Sequence, residues 1–400
     1  MVPVKIGTGR SYYKQKTGRV MKKIYIFAML VFTGAAHGAT TPLGNAIALH
    51  KTAPKYLINA ADAWDSVIGT PMRGGAIAAR MSALNNEANN ARLYDVMSVL
   101  AYNHTAMTIY QTHRHLDAAY DIIDTPLISR RGGNFQNFII NARGIGETDK
   151  YEHGRNDDFE MRTGGAGASA YAYVTDGLAF GVGYTYAKSK SHDMPLHVDA
   201  ESNIISLFSK YLSEGGWYMN TSLAAGQTQW DIDKTVAGVA NKTAFNTDFY
   251  SGQINTGVAL NRGRLYLTPQ VGIRYTRMIS EKHVDAAAQD FKKWWHNTLS
   301  ADARANVGVN FAAAGAIIRP SLHAGAGYDI INHGTDRVKT RLVTGQSYDM
   351  PVHSPARTEL RAGGGVAIYG PKIAAEATYT LHYRNDYTAH DVRAALKIAF

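Results

Sequence analysis

The sequence predicts an all-β protein, a twelve-stranded antiparallel transmembrane β-barrel, preceded by a shorter helical segment. Two observations predict the barrel. Apolar and polar residues alternate along segments of more than ten residues, and tight turns alternate with longer polar connections. A third observation concerns the membrane: after residue 39 no stretch is long and apolar enough to cross as a helix. Any crossing must therefore be made by strands.

The composition agrees with a barrel and argues against several other classes. Only 18% of the 400 residues are charged, while glycine (38) and tyrosine (24) are plentiful. The net charge of +10 is misleading, because seven positive charges and no acidic residue precede residue 40, which leaves about +3 for the rest. A nucleic-acid partner therefore has little support. The absence of cysteine excludes disulfides, thiol nucleophiles and cysteine metal sites, and we expect no cofactor or metal.

Residues 1–38 are predicted to be an N-terminal extension followed by a secretory signal peptide. The stretch at 21–39, MKKIYIFAMLVFTGAAHGA, has a positive start, an apolar centre and small residues at its end. Met21 is the expected start, because residues 1–20 are polar and basic. Cleavage after Ala36 and cleavage after Gly38 both fit. A membrane anchor would need ~20 apolar residues, more than this segment has.

Residues 39–125 are predicted to be mostly helical. Within 76–124 apolar residues recur at spacings of three and four, for example Leu93, Val96, Met97 and Leu100. A second helical stretch is expected at 55–67. The sequence DTP at 124–126 ends the helical region.

From residue 134 the period changes to two. In the segment LYLTPQVGIRYTRM at 265–278, Leu265, Val271 and Ile273 fall on one face, and Gln270 and Arg274 fall on the other. The pattern recurs at 217–227, 373–384 and 392–400. Strands of soluble proteins usually have about five or six residues, so these longer segments indicate tilted membrane spans.

The connections predict the strand count. Tight turns lie at 176–177, 214–216, 261–263, 314–315 and 370–372, and longer polar connections lie near 145–157, 188–199, 233–245, 279–296 and 330–354. The last connection, near 385–387, is short. The twelve strands are expected to begin near residues 134, 158, 178, 200, 217, 246, 264, 298, 316, 356, 372 and 388. Pro269 and Pro320 fall inside two of these strands, which we retain because proline is tolerated at strand ends and bulges.

A set of charged residues is predicted to line the pore, because period two places all of them on the inward face. A charge on the lipid side would cost ~2–4 kcal/mol near mid-membrane. The expected pore-lining residues are Arg274, Glu359, Arg361, Glu376, Arg384, Arg393 and Lys397. They either set ion selectivity and pair with a plug, or only hydrate and brace the barrel.

Residues 125–400 resemble the translocator domain of type V autotransporters. The matching features are LTPQVGIRY at 267–275, the glycine-rich segment at 164–189, the hairpin YGPKIAAEATYTLHY at 369–383 and the last strand, ALKIAF, with its terminal aromatic residue. Their order and spacing carry the resemblance.

The resemblance implies a barrel in the cell outer membrane whose pore is plugged by an α-helix, for which residues 103–124 are the candidate. It implies a barrel domain at 126–400 and a short passenger remnant, linker and pore helix at 39–125. It also implies that Leu396, Ile398 and Phe400 form the signal read by the barrel-assembly machinery. The implied partners are outer-membrane lipid, periplasmic chaperones and that machinery, and we expect a monomer. Phe400 is equally expected as a lipid-facing interfacial aromatic.

The sequence departs from the family in having only some 90 residues between signal and barrel, without repeats. The first hypothesis is therefore a translocator barrel that anchors or translocates a short segment. The alternatives are a porin-like channel or surface adhesin, with the loops at 280–295 and 331–353 meeting partners, and, more remotely, an outer-membrane hydrolase.

Three candidate sites have simpler readings. The pairs Asn85-Asn86 and Asn89-Asn90 resemble asparagines at which some autotransporters cleave their passenger, with Asn89 and Asn90 as the possible cleavage site, but polar residues on a helix explain them more simply. Ser321 and His323 share one inward face, but no nucleophile motif surrounds them. His113 and His115 are two residues apart, a spacing that would not aim both at one metal ion on a helix. We expect no enzyme chemistry.

Overall fold

The computed structural model describes residues 43, 53–67, 81, 90–124, 138–152, 158–191, 196–313 and 315–400. The chain divides into two compact units, residues 1–40 and 41–400, and every described residue belongs to the second. The predicted extension and signal peptide, and the asparagines at 85, 86 and 89, lie outside the described residues. Those expectations stay predictions.

Twelve long antiparallel strands form a closed barrel in the described part of the chain. Each pairs with its neighbour in sequence, and the first pairs with the last from Ile139 opposite Ala399 to Tyr151 opposite Tyr387. The strands are β1 (Phe138–Tyr151), β2 (Phe159–Tyr173), β3 (Leu178–Ser191), β4 (Leu196–Leu212), β5 (Trp217–Val236), β6 (Val239–Val258), β7 (Leu265–Ser280), β8 (Trp294–Val309), β9 (Ala316–Gly334), β10 (Thr358–Tyr369), β11 (Ile373–Arg384) and β12 (Tyr387–Ala399). The predicted fold class is confirmed.

Six short strands accompany the barrel in the described residues. Leu260–Arg262 pairs with β7 and Phe311–Ala313 pairs with β9 at the end where the tight turns lie, which we call the turn side. At the opposite end, the loop side, the connections after β7 and β9 contribute His283–Val284, Asp290–Phe291, Arg337–Arg341 and Ser347–Pro351 to a separate antiparallel sheet. This sheet stands over one part of the barrel mouth.

Three of the predicted long connections are largely strand. Much of 145–157, 188–199 and 233–245 is paired, because the alternation continues there: polar residues fill the outward positions, and apolar residues such as Val236 and Phe245 are buried inward. Strands β5 and β6 meet in a turn of two residues, Ala237 and Gly238, both with positive φ (49° and 75°), the geometry of a tight hairpin. Polarity marks the exit from the membrane here and does not mark the end of a strand.

The prolines stay within their strands, as predicted. Pro269 on β7 lies opposite Ala305, and Pro320 on β9 lies opposite Val366. Both rings are exposed on the outward face.

Three described helices precede the barrel: α1 (Lys55–Asp65), α2 (Asn90–Leu100) and α3 (Thr105–Asp124). The expected helix at 55–67 is present. The expected helix at 76–124 is interrupted at residues 101–104, where the chain turns between α2 and α3. Among the described helices, none has the length and apolar character of a membrane span.

The outward face of the barrel changes character along the strands. Near the turn side it is apolar, with Val182 on β3, Leu207 on β4 and Leu223 on β5 more than half exposed. Farther along the same strands it becomes charged, as in the ion pair between Lys188 and Glu201. The apolar belt is the lipid-facing part of the barrel. The strands continue past it on the loop side.

Candidate functional site: the barrel lumen and its plug

Helix α3 lies inside the barrel. With 20 residues it is ~30 Å long, enough to run through most of the lumen, and it contacts strands β1 to β6. Asn103 positions its start, because the side-chain oxygen accepts hydrogen bonds from the Thr105 backbone N–H (3.2 Å) and hydroxyl (2.7 Å). The amide nitrogen of Asn103 donates to the Pro351 carbonyl (2.7 Å), which ties the helix start to the loop side.

Arg114 is the central cation of the lumen. Its guanidinium, almost completely buried, pairs with Glu147 on β1, with Asp117 one turn along the helix (3.1 Å) and with Asp391 on β12 (3.3 Å). It also lies 3.1 Å from Nδ1 of His382. A buried cation is tolerated only when its charge and donors are matched in this way. These contacts fix both the depth and the rotation of α3 in the barrel.

A second charged group sits on the wall formed by β9 to β11. The Glu359 carboxylate accepts hydrogen bonds from Arg361 (2.7 Å) and Arg384 (2.8 Å) and lies 2.9 Å from Nδ1 of His382. Arg384 also donates to Asp329 on β9 (2.7 Å). His382 therefore joins the two charged groups.

A third group lies towards the turn side. Arg274 on β7 pairs with Asp117, and its guanidinium lies 5.8 Å from the ring centre of Tyr120. Asp121 on α3 pairs with Arg143 on β1 (3.9 Å) and with Arg393 on β12. Arg114, Asp117 and Asp121, which lie along successive turns of α3, therefore each pair with a charged residue of the barrel wall.

Of the predicted pore-lining residues, the structure brings most into contact with α3 or with each other through these three groups. Glu376 and Lys397 instead lie nearer the turn side, away from Arg114. All seven side chains are buried or half-buried on the inward face. Whether they select ions or only brace the barrel stays a prediction.

Sequence reasoning missed Arg114, Glu147, Asp149 and Asp391. The alternation in β1 points to two of these residues: Glu147 and Asp149 fall on the same inward face as Asn141, Arg143 and Ile145. The sequence analysis predicts a loop for this part of β1. Gln111 of α3 donates to Asp149 (2.5 Å), and its carbonyl oxygen accepts from Ser189 (3.0 Å).

The histidines of α3 are held singly. His113 lies 3.1 Å from the Thr298 hydroxyl, and His115 lies between Ser202 (2.6 Å) and Ser189 (2.7 Å). His323 on β9 meets Thr380 (3.0 Å). Within the described residues no group of three or more histidine and acidic side chains has the arrangement of a metal site.

Helices α1 and α2 form, with the loop-side connections, a compact unit that we call the head. Leu57 and Trp64 of α1, Leu93 and Met97 of α2, and Leu43 are completely buried. They belong to one apolar core with Trp294, the first residue of β8, and with residues of the connections after β7 and β9, which are Ala287, Phe291, Val338, Leu342, Tyr348 and Met350. Each such side chain contributes ~1.5–3 kcal/mol on burial. The head is therefore built jointly by the N-terminal segment and the barrel's own loops.

The end of α2 is fastened to the barrel by buried polar contacts. The Leu100 carbonyl accepts hydrogen bonds from Lys234 on β5 (3.0 Å) and Gln289 (3.2 Å). Lys234 also pairs with Asp285 (3.6 Å), which is held by Asn241 (2.8 Å). A cation at a helix C-terminus satisfies free carbonyls and the negative end of the helix dipole.

Between the head and the lumen lies a stack of rings. His283 stacks on Phe245 (4.4 Å) and on Phe291 (4.7 Å), and His104 lies 5.4 Å from His283. Burial lowers the pKa of His104 well below its usual value, and His283 and Lys234 lower it further. Burial also lowers the pKa of His283 to about 4. Both rings are neutral at pH 7.

The family of the chain follows from two observations: the barrel has a helix in its lumen, and the sequence matches a known family. The Autotransporter beta-domain family matches residues 140–380. The chain belongs to this family. It is an outer-membrane β-barrel of type V secretion. Translocator barrels of this family typically transport and do not catalyse, and the outer-membrane assembly machinery inserts them.

Two solved autotransporter structures share the fold. The translocator domain of NalP from Neisseria meningitidis is 16% identical, with a TM-score of 0.59 over 76% of this chain and 99% of that one. The transport unit of AIDA-I from Escherichia coli is 11% identical, with a TM-score of 0.50 over 73% of this chain and 97% of that one. A comparison with curated proteins gave no match.

In this autotransporter barrel the turn side faces the periplasm and the loop side faces outwards, because short turns lie on the periplasmic side of outer-membrane barrels. The barrel termini agree, since Phe400 donates its backbone N–H to the Phe138 carbonyl (3.0 Å) on the turn side. Leu396 and Phe400 are exposed on the outward face, and Ile398 is half-buried between them. A cavity of about 1240 Å³ occupies the turn-side half of the lumen.

Proposed function

We propose that this autotransporter translocator retains its own N-terminal segment, with α3 as the pore plug and α1 and α2 as a folded head on the cell surface. Residues 39–125 and the barrel at 126–400 act as one unit in this proposal. The anchored segment takes the place of a large exported cargo.

The observation that carries the proposal is the shared apolar core of the head. Trp64 of α1 and Met97 of α2 are completely buried in one apolar core with side chains such as Phe291 and Met350 from the barrel's loops. A cargo destined for release would bury its apolar residues within itself. Here, separation would expose apolar surface on both partners, at ~25 cal/mol per Å².

The plug offers no asparagine for cleavage inside the pore, since none occurs in α3. Asn90 is the first residue of α2, on the loop side of the lumen, and Asn89 lies outside the described residues. The buried acids near the plug, Glu147 and Asp391, are engaged by Arg114. We therefore propose that the chain stays uncleaved between head and barrel.

The remaining roles follow from this proposal. Five of the lumen charges, Arg274, Glu359, Arg361, Arg384 and Arg393, hold the plug directly or through His382, and Leu396, Ile398 and Phe400 serve as the assembly signal for periplasmic chaperones and the barrel-assembly machinery. The protein acts as a monomer in outer-membrane lipid, without catalytic activity or a nucleic-acid partner. Many apolar residues of the loops at 280–295 and 331–353 are buried in the core of the head and are not available to a partner. This favours the anchoring role over that of an adhesin.

The test is protease treatment of intact cells, followed by mass analysis of the barrel. We expect a single chain that contains both head and barrel, with a head that resists cutting at neutral pH. The variant Trp64→Ala, which removes a completely buried indole worth ~3–5 kcal/mol, should make the head sensitive while the barrel stays intact. Asp62→Ala, an exposed position on the same helix, is the matched control. A wild-type barrel recovered without its head would contradict the proposal.

A further inference from the structure

Two cations lie side by side on the outer surface of the barrel, at the loop-side edge of the apolar belt. Arg162 on β2 and Lys190 on β3 are directly opposite each other, and both point outwards. Like charges in this arrangement repel, because directly opposite side chains have Cβ atoms ~5 Å apart. The pair therefore weakens the sheet unless an anion lies between the two side chains.

The neighbouring carboxylates do not neutralise this pair. Asp199 pairs with Lys190 from the far side, on β4 (3.5 Å). Glu160, two residues before Arg162, lies opposite Lys150 on β1. Within the described part of the chain the Arg162 guanidinium has no ion-pair partner. The side of the pair that faces β1 is therefore positively charged and accessible.

Below the pair, the outward face of β1 and β2 forms a shallow groove. Its floor residues are all glycine or alanine: Ala142, Gly144 and Gly146 of β1, and Gly164, Ala166, Ala168 and Ala170 of β2. Its walls are apolar side chains of the flanking strands, each about half exposed, and include Val392 and Leu396 of β12 and Val182 and Tyr184 of β3.

The length of the groove suits one leaflet of a membrane. From Gly146 to Ile140 it runs ~20 Å along β1. Because barrel strands are tilted, this length corresponds to ~15 Å of depth, which is half of the hydrocarbon thickness of a bilayer. An extended acyl chain can therefore lie along the floor from the cations to the middle of the membrane.

The packing of the barrel does not require the glycines of the floor. A Cβ atom on Gly144 or Gly164 would meet no atom within 4 Å, and neither residue has a positive φ. By contrast, a Cβ atom on Gly226 of β5 would overlap the ring of Phe249 (2.5 Å). Glycine inside a strand weakens the strand and often marks the close approach of another molecule. The floor glycines keep the groove deep enough for an occupant.

We propose that this groove binds a phosphorylated glycolipid of the outer leaflet, with an acyl chain on the floor and a phosphate between Arg162 and Lys190. Thr148, opposite Arg162 on β1, adds a hydroxyl donor beside the phosphate. The site is formed by the barrel wall alone, so it does not depend on whether the head is retained.

The direction of the groove identifies the leaflet. Its cations lie on the loop side, which faces outwards, whereas its turn-side end is bordered by the exposed rings of Phe138 and Phe180. Near that end, the described outward residues of β1 to β3 include no cation. A phosphate at Arg162 therefore belongs to a lipid of the outer leaflet.

The charge of the site favours a glycolipid over a zwitterionic phospholipid. The headgroup of phosphatidylcholine carries an ammonium beside its phosphate, and this second charge would face the cations of Arg162 and Lys190. A phosphate on a sugar brings negative charge without a cation, and its oxygens accept charge-assisted hydrogen bonds from both side chains.

The test is native mass spectrometry of the full-length protein in detergent, mixed with diphosphorylated lipid A. We expect one lipid A for each barrel and weaker binding of phosphatidylcholine. Inorganic phosphate and the phosphorylated disaccharide without acyl chains should bind far more weakly than lipid A, because neither of them occupies the groove.

Variants separate the two halves of the site. Arg162→Gln and Lys190→Gln should each lower the affinity for lipid A about tenfold, the loss expected for one charge-assisted hydrogen bond. Gly164→Leu, which fills the groove and leaves both cations in place, should lower it by a similar factor. Arg277→Gln, an exposed outward cation of β7, and Ala324→Leu, a small exposed outward residue of β9, are the matched controls and should bind like the wild type.

Heat-modifiable gel migration in lipid-free detergent verifies that each variant is folded. The unfolding temperature should be the same for all of them, because the site holds lipid and makes no contact on which the barrel wall depends.

Three outcomes would overturn the proposal. The first is equal binding of lipid A by the wild type, Arg162→Gln and Gly164→Leu. The second is equal affinity of the wild type for phosphatidylcholine and lipid A. The third is a lipid-free dimer that Gly164→Leu abolishes and lipid A does not displace, which would assign the groove to a second copy of the chain. Cleavage between head and barrel would refute the proposed function and leave lipid binding unchanged.

Discussion

A single side chain, that of Arg114, makes many of the interactions that hold the plug. It meets Glu147, Asp117 and Asp391 in a place with almost no access to water. Such a cluster adds little to stability when complete, but the loss of one member leaves buried charges without a partner.

We expect Arg114→Met to weaken the plugged barrel by about 3–5 kcal/mol, because the carboxylates of Glu147 and Asp391 lose their main cation. The measurement is the temperature at which the folded band disappears in heat-modifiable gel migration. Arg162→Met, exposed on the outward face of β2, is the control and should leave this temperature almost unchanged. Equal midpoints for both variants would show that the cluster does not hold the plug.

For single residues, the sequence predicted which strand side chains point into the lumen, but it did not predict which groups they contact. Arg274, Glu359 and Arg393 were placed inward because strand alternation has a period of exactly two residues. The contacts of Arg274 with Asp117 and of Arg393 with Asp121 depend on the depth and rotation of α3, which no local pattern specifies. Those two quantities are fixed by the fit of the whole helix to the wall.

Among the elements, the head and the ring stack beneath it have a built-in pH response. His104 and His283 are neutral when packed, because burial lowers both pKa values, that of His283 to about 4. An unfolded histidine protonates near pH 6.5. The head therefore loses stability as the pH falls from about 6.5 towards 4, and it is fully stable above that window.

We expect the loss attributable to His283 to approach roughly 3 kcal/mol at pH 4, from the difference between its folded pKa of about 4 and its unfolded value. The measurement is the rate of protease cutting in the head between pH 7.5 and 4. His283→Phe keeps a ring for the stack with Phe245 and Phe291 and should flatten the dependence. A cutting rate that rises equally in that variant would assign the pH response to other groups.

The buried polar contacts at the C-terminus of α2 should also stabilise the head. Lys234→Met leaves Asp285 without its cation and removes one donor from the Leu100 carbonyl. We expect a destabilisation of about 3–5 kcal/mol, seen as faster cutting of the head at pH 7.5. Lys242→Met, an exposed pair partner of Asp233 at the nearby hairpin, should have little effect. Unchanged cutting in Lys234→Met would show that α2 is held by its apolar face alone.

Element positions were largely predictable, whereas element lengths were not. The predicted starts of β3, β5 and β9 agree with the structure, because turn residues such as those at 214–216 interrupt the alternation sharply. At the loop side the strands extend farther than predicted, with β4, β6 and β8 beginning at residues 196, 239 and 294 instead of 200, 246 and 298. Polar residues on the outward face there resemble a loop in sequence. Paired strands outside the membrane carry polar residues on their outward face and still alternate.

For the whole molecule, removal of the plug is the largest available perturbation. An α-helix with side chains is ~10–12 Å across, so deletion of residues 40–124 should open a water-filled lumen through the full barrel. We expect conductance far above that of the intact chain in planar bilayers. Unchanged conductance in a folded barrel would contradict the position of α3 in the pore.

Assembly provides a further test at this scale. If the proposed assembly signal is correct, Phe400→Ala should lower the amount of folded barrel in the outer membrane and leave the heat stability of assembled barrel nearly unchanged. Phe311→Ala, another exposed outward phenylalanine at the turn side, is the control. Equal losses in both variants would indicate that Phe400 matters only as an interfacial aromatic.

The length of β5 and β6 has a consequence for how the cell surface is presented. Beyond the apolar belt, residues 227–236 of β5 extend on the order of 30 Å along the strand. Because barrel strands tilt by ~35–45°, the height gained above the membrane is smaller than this length, and the charged flanks of the hairpin, where Lys242 meets Asp233, stand in water outside the membrane. The end of α2 meets Lys234 close to the tip of this hairpin, so the head would stand at that height, as the part of the molecule that an antibody or a phage reaches first.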